Sequence, residues 1–371
     1  MKILVFIYSL SSGGAERVTS SLINEWISKG HCVSLVTQKD QSSDFYEVNP
    51  KINRVVLDLA KESTGLSSAL INNFKRLCRL RAIIKTDKPD IILSMMTSSN
   101  IISIVANYAL KIPIIVSERT YPPLLPVSRP WQILRKLTYP FASRVVMLTT
   151  EGLNWLQREI PKANGLVIPN PVLYPLPINR PILDPHSVIK ADRNILLAVG
   201  RMSEEKGFAG LINTFATLSK IHTKWDLVIL GDGPMRVELQ QQIEKASLGN
   251  RVFMPGRAGN VSEWYEQANL FVLSSRVEGF PNTLSEAMTH ACPVISFDCL
   301  TGPRDLIKNG ENGVLVAAGD YQELEKSLGE LMENDVYRKR MAVNAICVRE
   351  KFGLDKVMKE WMLLIEAHVS K

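Results

Sequence analysis

Two carboxylates, two cations and a few glycine turns have the residue types and spacing to hold a polyphosphate next to hydroxyl-rich groups. Glu278 and Glu286 are separated by seven residues, and Gly279-Phe280-Pro281-Asn282 follows Glu278 directly. A helical pattern opens at Asn282, so Glu278 falls in a loop and Glu286 about one turn inside a helix. Backbone N–H groups at a helix start suit a phosphate, while carboxylates accept bonds from hydroxyls. Upstream runs Gly200-Arg201-Met202-Ser203-Glu204-Glu205-Lys206-Gly207. Arginine can make two parallel bonds to phosphate oxygens and lysine adds a compact charge, so Arg201 and Lys206 together read as a grip for a polyanion. The competing reading is a solvated loop, which Glu204-Glu205 favours. A third segment, Ser11-Ser12-Gly13-Gly14-Ala15-Glu16-Arg17, pairs two glycines where a ligand would approach the backbone. It also fits a plain tight turn.

Each of these loops needs a strand ending just before it, and the pattern supplies one. The chain has 371 residues, more than one core of ~250–300 residues holds, so two domains are expected. In the first, apolar runs at Lys2–Tyr8, Val33–Thr37, Ile91–Ser94, Ile114–Ser117 and Val145–Leu148 alternate with helical patterns near Ala15–Lys29, Ala69–Lys85, Asn100–Leu110, Trp131–Tyr139 and Glu151–Glu159. In the second, strands are expected at Ile195–Val199, Asp226–Leu230, Val252–Met254, Leu270–Leu273, Val294–Phe297 and Val314–Val316, followed by one long helical tail over Asp335–His368. Continuous apolar strands between amphipathic helices predict parallel, doubly wound α/β sheets. Six prolines between Ile168 and Asn194 stop the pattern. The expected organisation is therefore a domain over 1–170, a linker over 171–194, a second domain over 195–352 and a terminal helix over 353–371 packing towards the first. Open α/β sheets bind ligands beyond the carboxyl ends of their strands, which predicts a cleft between the domains.

Composition narrows the classes. Forty-six per cent apolar and 22% charged residues exclude disordered and collagen-like chains. Five cysteines without a C-x-x-C pair read as reduced thiols. The longest apolar stretch, residues 101–116, is interrupted by Asn107, Lys111 and Pro113 and is too short to span a bilayer, and no secretion signal is recognised. Residues 1–175 carry 21 Lys and Arg against 12 Asp and Glu, whereas the remainder carries 23 against 25. A basic first half points to an anionic partner. No nucleic-acid-binding motif accompanies it, so nucleic acid is not expected. Neither half has G-x-G-x-x-G with an acidic partner, which argues against a dinucleotide-dependent oxidoreductase.

Gly200-Arg201…Lys206-Gly207 followed by Glu278-x7-Glu286 resembles the retaining glycosyltransferases of family 4, and the resemblance covers nearly the whole chain. It implies the GT-B architecture, two Rossmann-like domains facing each other across a cleft. Ser12–Arg17 resembles bacterial members that extend lipid-linked glycans for surface polysaccharide, O-antigen or protein glycosylation, several of them adding N-acetylgalactosamine (GalNAc) or related sugars from UDP donors. The resemblance implies that Arg201 and Lys206 hold the donor diphosphate, that Glu286 binds the ribose, and that Glu278 with Gly279, Phe280, Pro281 and Asn282 holds the sugar. Gly13, Gly14, Gly200, Thr283 and Leu284 would complete the donor site. Many relatives carry a histidine in the loop where this chain has Ser117-Glu118-Arg119-Thr120; Glu118 or Arg119 would fill that sugar-side position.

A retaining front-face transfer needs no strong enzyme base, because the departing phosphate oxygen takes the acceptor proton, and the main requirement is stabilising the leaving diphosphate. The chain contains no D-x-D triplet, so no metal and no other cofactor are expected. The acceptor implied is a polyprenyl-diphosphate-linked saccharide. A basic amphipathic helix carrying Lys75, Arg76, Arg79 and Arg81, together with Arg135 and Lys136, would meet an anionic bilayer at the inner face of the cytoplasmic membrane. A surface helix with snorkelling cations is the competing reading. A nucleotide-sugar epimerase and a non-catalytic protein with a basic binding surface remain as alternatives.

Overall fold

A computed structural model describes residues 1–11, 13–57 and 66–369, the side chains of 66–70 excepted. The chain forms two compact units, one of Met1–Asn170 with the segment from Val357 onward, the other Pro171–Lys356.

The first unit is built on a parallel sheet of β1 (Lys2–Ile7), β2 (Cys32–Thr37), β3 (Asn53–Val56), β4 (Ile91–Met95), β5 (Ile114–Ser117), β6 (Arg144–Met147) and β7 (Gly165–Val167). Their order is β3-β2-β1-β4-β5-β6-β7, with Val5 in register with Leu35 on one side and Leu93 on the other. The central strands are apolar on both faces because helices cover both. Leu4, Phe6, Ile92, Val116 and Val145 pack with Tyr139, Trp155 and Leu156 in one core. The two strands absent from the sequence reading, β3 and β7, are the edges. Asn-Arg-Val-Val and Gly-Leu-Val bury too little apolar surface to leave a pattern, and each is held by pairing with a neighbour.

The second unit carries β8 (Asn194–Val199), β9 (Trp225–Leu230), β10 (Val252–Gly256), β11 (Leu270–Leu273), β12 (Val294–Asp298) and β13 (Val314–Ala317), ordered β10-β9-β8-β11-β12-β13 and all parallel. Phe208, Phe215, Leu227, Phe271 and Phe297 form its core. The proline-rich segment groups with this unit. Leu183 donates its N–H to Asn260 Oδ1 at 2.9 Å, and its carbonyl accepts from Trp264 Nε1 at 2.9 Å. Side chains thus pair backbone groups that a proline-rich stretch cannot place in a ladder.

The helical tail is three helices, Asp335–Ala345, Val348–Phe352 and Leu354–Val369. Gly353 breaks it in extended backbone (φ −55°, ψ 151°), and a Cβ there would stand 2.4 Å from the Arg349 carbonyl. Residues from Val357 onward, with Met358, Trp361 and Ile365 buried, pack with the first unit.

Each sheet reverses its strand order once, between β1 and β4 in the first unit and between β8 and β11 in the second. Such switch points part the loops at the strands' carboxyl ends and are where doubly wound sheets take ligands.

Candidate active site

The second switch point collects the motifs singled out from sequence. β8 runs into Gly200-Arg201, and β11 into Ser274–Pro281, ahead of the helix Asn282–Thr289. Lys206 Nζ lies 2.7 Å from Glu278 Oε1, with 22% of the lysine side chain and 9% of the glutamate side chain exposed. Two glycines allow the loops this close. Gly207 has φ +68°, and a Cβ on it would meet the Ser274 carbonyl at 2.2 Å; Gly231 has φ +134°, with its Cβ position 1.9 Å from the Gly200 carbonyl. Ser274 Oγ donates to the Lys206 carbonyl at 2.9 Å and the Arg276 amide to the Glu205 carbonyl at 2.8 Å, fastening one loop to the other. The Glu278 carbonyl accepts from Thr301 Oγ1. Arg201, at the start of the same loop, is exposed.

Glu286 is 4% exposed, and Tyr265 Oη donates to its Oε2 at 3.0 Å. His290 packs on Tyr265 with ring centroids 5.7 Å apart. Cys299, buried near Glu278, has its thiol pushed up to about 12 by desolvation first and the carboxylate second, so it stays neutral. Phe280 is buried on Phe352, which fixes the loop between the two carboxylates, while Gly279, Asn282 and Thr283 are partly exposed. A carboxylate held by a lysine, a helix start and a buried second carboxylate can together bind a diphosphate and the hydroxyls at either end of it.

At the first switch point, Ser9 and Ser11 follow β1 and Arg119 follows β5. The Gly13 N–H donates to the Ser11 carbonyl at 2.8 Å, and the Glu16 carboxylate folds back over Gly13. The Gly13 amide is therefore paired within its own turn. Arg119, 7% exposed, donates to Asn170 Oδ1 at 2.6 Å and to Ser117 Oγ at 3.2 Å. Glu118 does not fill the sugar-side position. It is 1% exposed, accepts from Thr97 Oγ1 at 2.8 and 3.0 Å and from Tyr139 Oη, and lies 3.6 Å from Arg135. Its carboxylate is fully engaged inside the unit because no solvent reaches it.

A model of Glycosyltransferase Family 4 matches residues 12–172, and one of Glycosyl transferases group 1 matches residues 179–347. The chain is 31% identical, over 98% of its own length and 98% of the relative's, to the Campylobacter jejuni protein GalNAc-alpha-(1->4)-GalNAc-alpha-(1->3)-diNAcBac-PP-undecaprenol alpha-1,4-N-acetyl-D-galactosaminyltransferase. The chain belongs to the family 4 glycosyltransferases. Among solved structures, the sucrose-phosphate synthase of Thermosynechococcus elongatus superposes with a TM-score of 0.86 at 18% identity, over 99% of this chain and 98% of that one. HepE of Anabaena bound to UDP-glucose does so with a TM-score of 0.76 at 19% identity, over 99% and 100%. The glycosyltransferase thus has the GT-B fold, and family membership displaces the epimerase and non-catalytic readings.

The cations assigned to a membrane fare unequally. Arg135 is 5% exposed, ion-paired with Glu118 and stacked 4.7 Å over the Trp155 ring, so it is a core residue and not a lipid contact. Its cation is buried because the carboxylate and the indole face compensate for lost hydration. Arg79 donates to the Leu57 carbonyl, and Arg81 to those of Ala106 and Tyr108 at 2.6 and 2.7 Å. Arg76 bonds Asn73 at 2.8 Å, Lys75 is exposed, and Lys136 pairs with Glu159 at 2.9 Å. Ile133, Leu134 and Leu137, on the helix Arg129–Thr138, and Phe141 just after it are exposed, as are Leu124 and Leu125 before it. Among the described residues, no helix is long and apolar enough to cross a membrane.

Some groups at this candidate site escaped the sequence reading. Gly231-Asp232-Gly233-Pro234 turns beneath the Gly200 loop, where the Met202 amide donates to the Asp232 carbonyl at 3.0 Å; a glycine–proline turn after a strand was a legible signal for it. Tyr265, Ser274 and Thr301 carry no pattern of their own, since each acts through a hydrogen bond from a distant element.

Proposed function

We propose that this glycosyltransferase moves a sugar, GalNAc or another hexose or hexosamine, from a UDP donor to a polyprenyl-diphosphate-linked saccharide, with retention of the anomeric configuration and without a metal. The supporting observation is the Lys206–Glu278 contact at the β8–β11 switch point, with Glu286 held by Tyr265 one helical turn beyond. The donor is favoured by the UDP-glucose held by HepE, and the acceptor by the undecaprenol-linked glycan in the name of the Campylobacter relative.

In this reading Arg201 and Lys206 bind the diphosphate, joined by the amides at the start of the helix Asn282–Thr289. Glu286 accepts from the ribose hydroxyls, and Glu278 from the transferred sugar, its charge balanced by Lys206. As the glycosidic bond breaks, negative charge grows on the β-phosphate; cations and amides already in place stabilise it. The β-phosphate oxygen takes the proton of the acceptor hydroxyl as that oxygen bonds to the anomeric carbon from the same face.

The first unit would rest on an anionic bilayer at the inner face of the cytoplasmic membrane. Its excess of cations and the exposed Ile133, Leu137 and Phe141 support this. Incubating the purified enzyme with UDP-GalNAc and undecaprenyl-diphosphate-linked GalNAc saccharides, with NMR of the product, tests the whole reading. An α-linked product supports it, a β-linked product overturns retention, and transfer abolished by EDTA and restored by Mn²⁺ overturns metal independence.

A further inference from the structure

Glu16 is a carboxylate to which the transfer outlined above gives no part. It stands in the first turn of the helix Gly14–Ser28, and a Cβ built on Gly13 would lie 2.1 Å from its Oε2. A side chain at position 13 would displace this carboxylate. Among the described residues, Ser9 Oγ approaches Oε1 at 3.5 Å, and that hydroxyl is shared with Ser11 Oγ at 2.9 Å. Burial raises its pKa above the usual carboxylate value, outweighing its own amide, the two serines and Arg119. Arg119 lies near enough to act on it electrostatically, and is itself brought down to about 10 by burial. Arg119 Nη1 and Nη2 have partners in Ser117 and Asn170, but its buried Nε makes no hydrogen bond.

A half-buried carboxylate and a buried arginine therefore lie beyond the carboxyl ends of β1 and β5, and the arginine Nε has no hydrogen-bond partner among the described residues. Buried charges that serve only the fold are normally satisfied by their neighbours. Under-satisfied ones at a switch point mark a ligand site. The ligand chemistry follows from the groups. A phosphate beside Glu16 would be repelled by it, whereas sugar hydroxyls can donate to the carboxylate and accept from an arginine N–H.

We propose that Glu16, with Ser9 and the Arg119 Nε–H, binds hydroxyls of the acceptor saccharide. This rests on the acceptor being a glycan, as proposed above. The test compares Glu16→Gln with wild type in three measurements at pH 7.5: melting temperature, UDP dissociation constant and acceptor kcat/KM. An ionised carboxylate whose folded pKa is raised costs stability above that pKa, so the neutral glutamine is expected to raise the melting temperature. The acceptor kcat/KM is expected to fall about 10–100-fold, the value of one charge-assisted bond, with UDP affinity within about two-fold of wild type. A structural role predicts the reverse, a lower melting temperature with acceptor kinetics intact, and would overturn the proposal, as would an unchanged acceptor kcat/KM alone. If the wild type transfers no sugar to any lipid-linked saccharide, the functional reading falls. The Glu16 site is then decided by melting with free GalNAc disaccharide: a shift in wild type lost in Glu16→Gln supports it, and no shift overturns it.

Discussion

Replacing Lys206 with methionine tests the diphosphate grip and the ion pair at once, because the structure gives the lysine two tasks. Its ammonium would face the leaving diphosphate, and it balances Glu278 at 2.7 Å. Breaking a fully buried pair costs about 3–5 kcal/mol. Lys206 keeps 22% of its side chain in solvent, so water recovers part of the loss and about 2 kcal/mol is the working value. For a unit of ~150–250 residues that is a drop of about 4–8 °C in melting temperature. Loss of one charge-assisted bond to the diphosphate adds about 1.5–3 kcal/mol in the transition state, or roughly 10–100-fold in kcat/KM. The two tasks separate in a double-mutant cycle with Glu278→Gln. For melting, the double variant should lie well above the sum of the two singles, because removing the second partner relieves an unpaired charge. For UDP affinity by calorimetry, Lys206→Met should weaken binding about 10-fold or more whether or not Glu278 is present. Additive melting losses would refute the coupling inferred from the contact. Unaltered UDP affinity in Lys206→Met would refute the diphosphate assignment itself.

Tyr265→Phe removes the hydroxyl that holds Glu286, so affinity for UDP should fall about 10-fold while affinity for 2′-deoxy-UDP changes much less, read by calorimetry. Gly207→Ala places a Cβ 2.2 Å from the Ser274 carbonyl at φ +68°, and should lower stability by about 2–4 kcal/mol in urea unfolding, with loss of transfer. Arg135→Met should lower the melting temperature without changing binding to anionic vesicles, whereas Ile133→Ser combined with Phe141→Ser should weaken that binding without changing melting. Full activity in EDTA is expected, since Arg201 and Lys206 would supply the charge that a divalent ion otherwise provides.

The parts of the fold that were legible in sequence are those fixed by burial. Strands covered on both faces need unbroken apolar runs, and the central strands of both sheets show them. The edge strands β3 and β7 are held by backbone pairing on one side, which leaves no such mark in Asn-Arg-Val-Val or Gly-Leu-Val. The tail reads as one helix because its helical periodicity runs almost unbroken across Gly353, and only the approach of the Arg349 carbonyl shows why the chain turns there. The candidate site residues divide in the same way. Lys206 and Glu278 were legible as charges next to glycines in loops after strands. Glu118 and Arg135 were not, because a charge on a loop and a charge in a core look alike until their partners are known. Each of the two is the other's partner, and they lie 17 positions apart in the chain.

The charge imbalance of the first half looks different once Arg135, Arg119 and Arg54 are located. Arg135 is buried on Glu118 and Arg54 on Asp44, so these two serve the interior of the first unit, and Arg119 is buried with its Nη2 on Asn170. A membrane surface has to be argued from what remains outside. Among the described residues that includes Lys75, Lys85 and Arg129 together with the apolar side chains of Ile133, Leu137 and Phe141. Exposed apolar groups bind a bilayer through buried area, largely insensitive to salt, whereas cations bind anionic headgroups through a field screened within ~10 Å at 0.1 M salt. Vesicle binding that survives 0.5 M NaCl in wild type but is lost in Ile133→Ser/Phe141→Ser would assign the contact to the apolar helix end. Binding abolished by salt alone would return it to the cations. The first result is expected, because several of the cations that suggested a membrane are already paired within the protein.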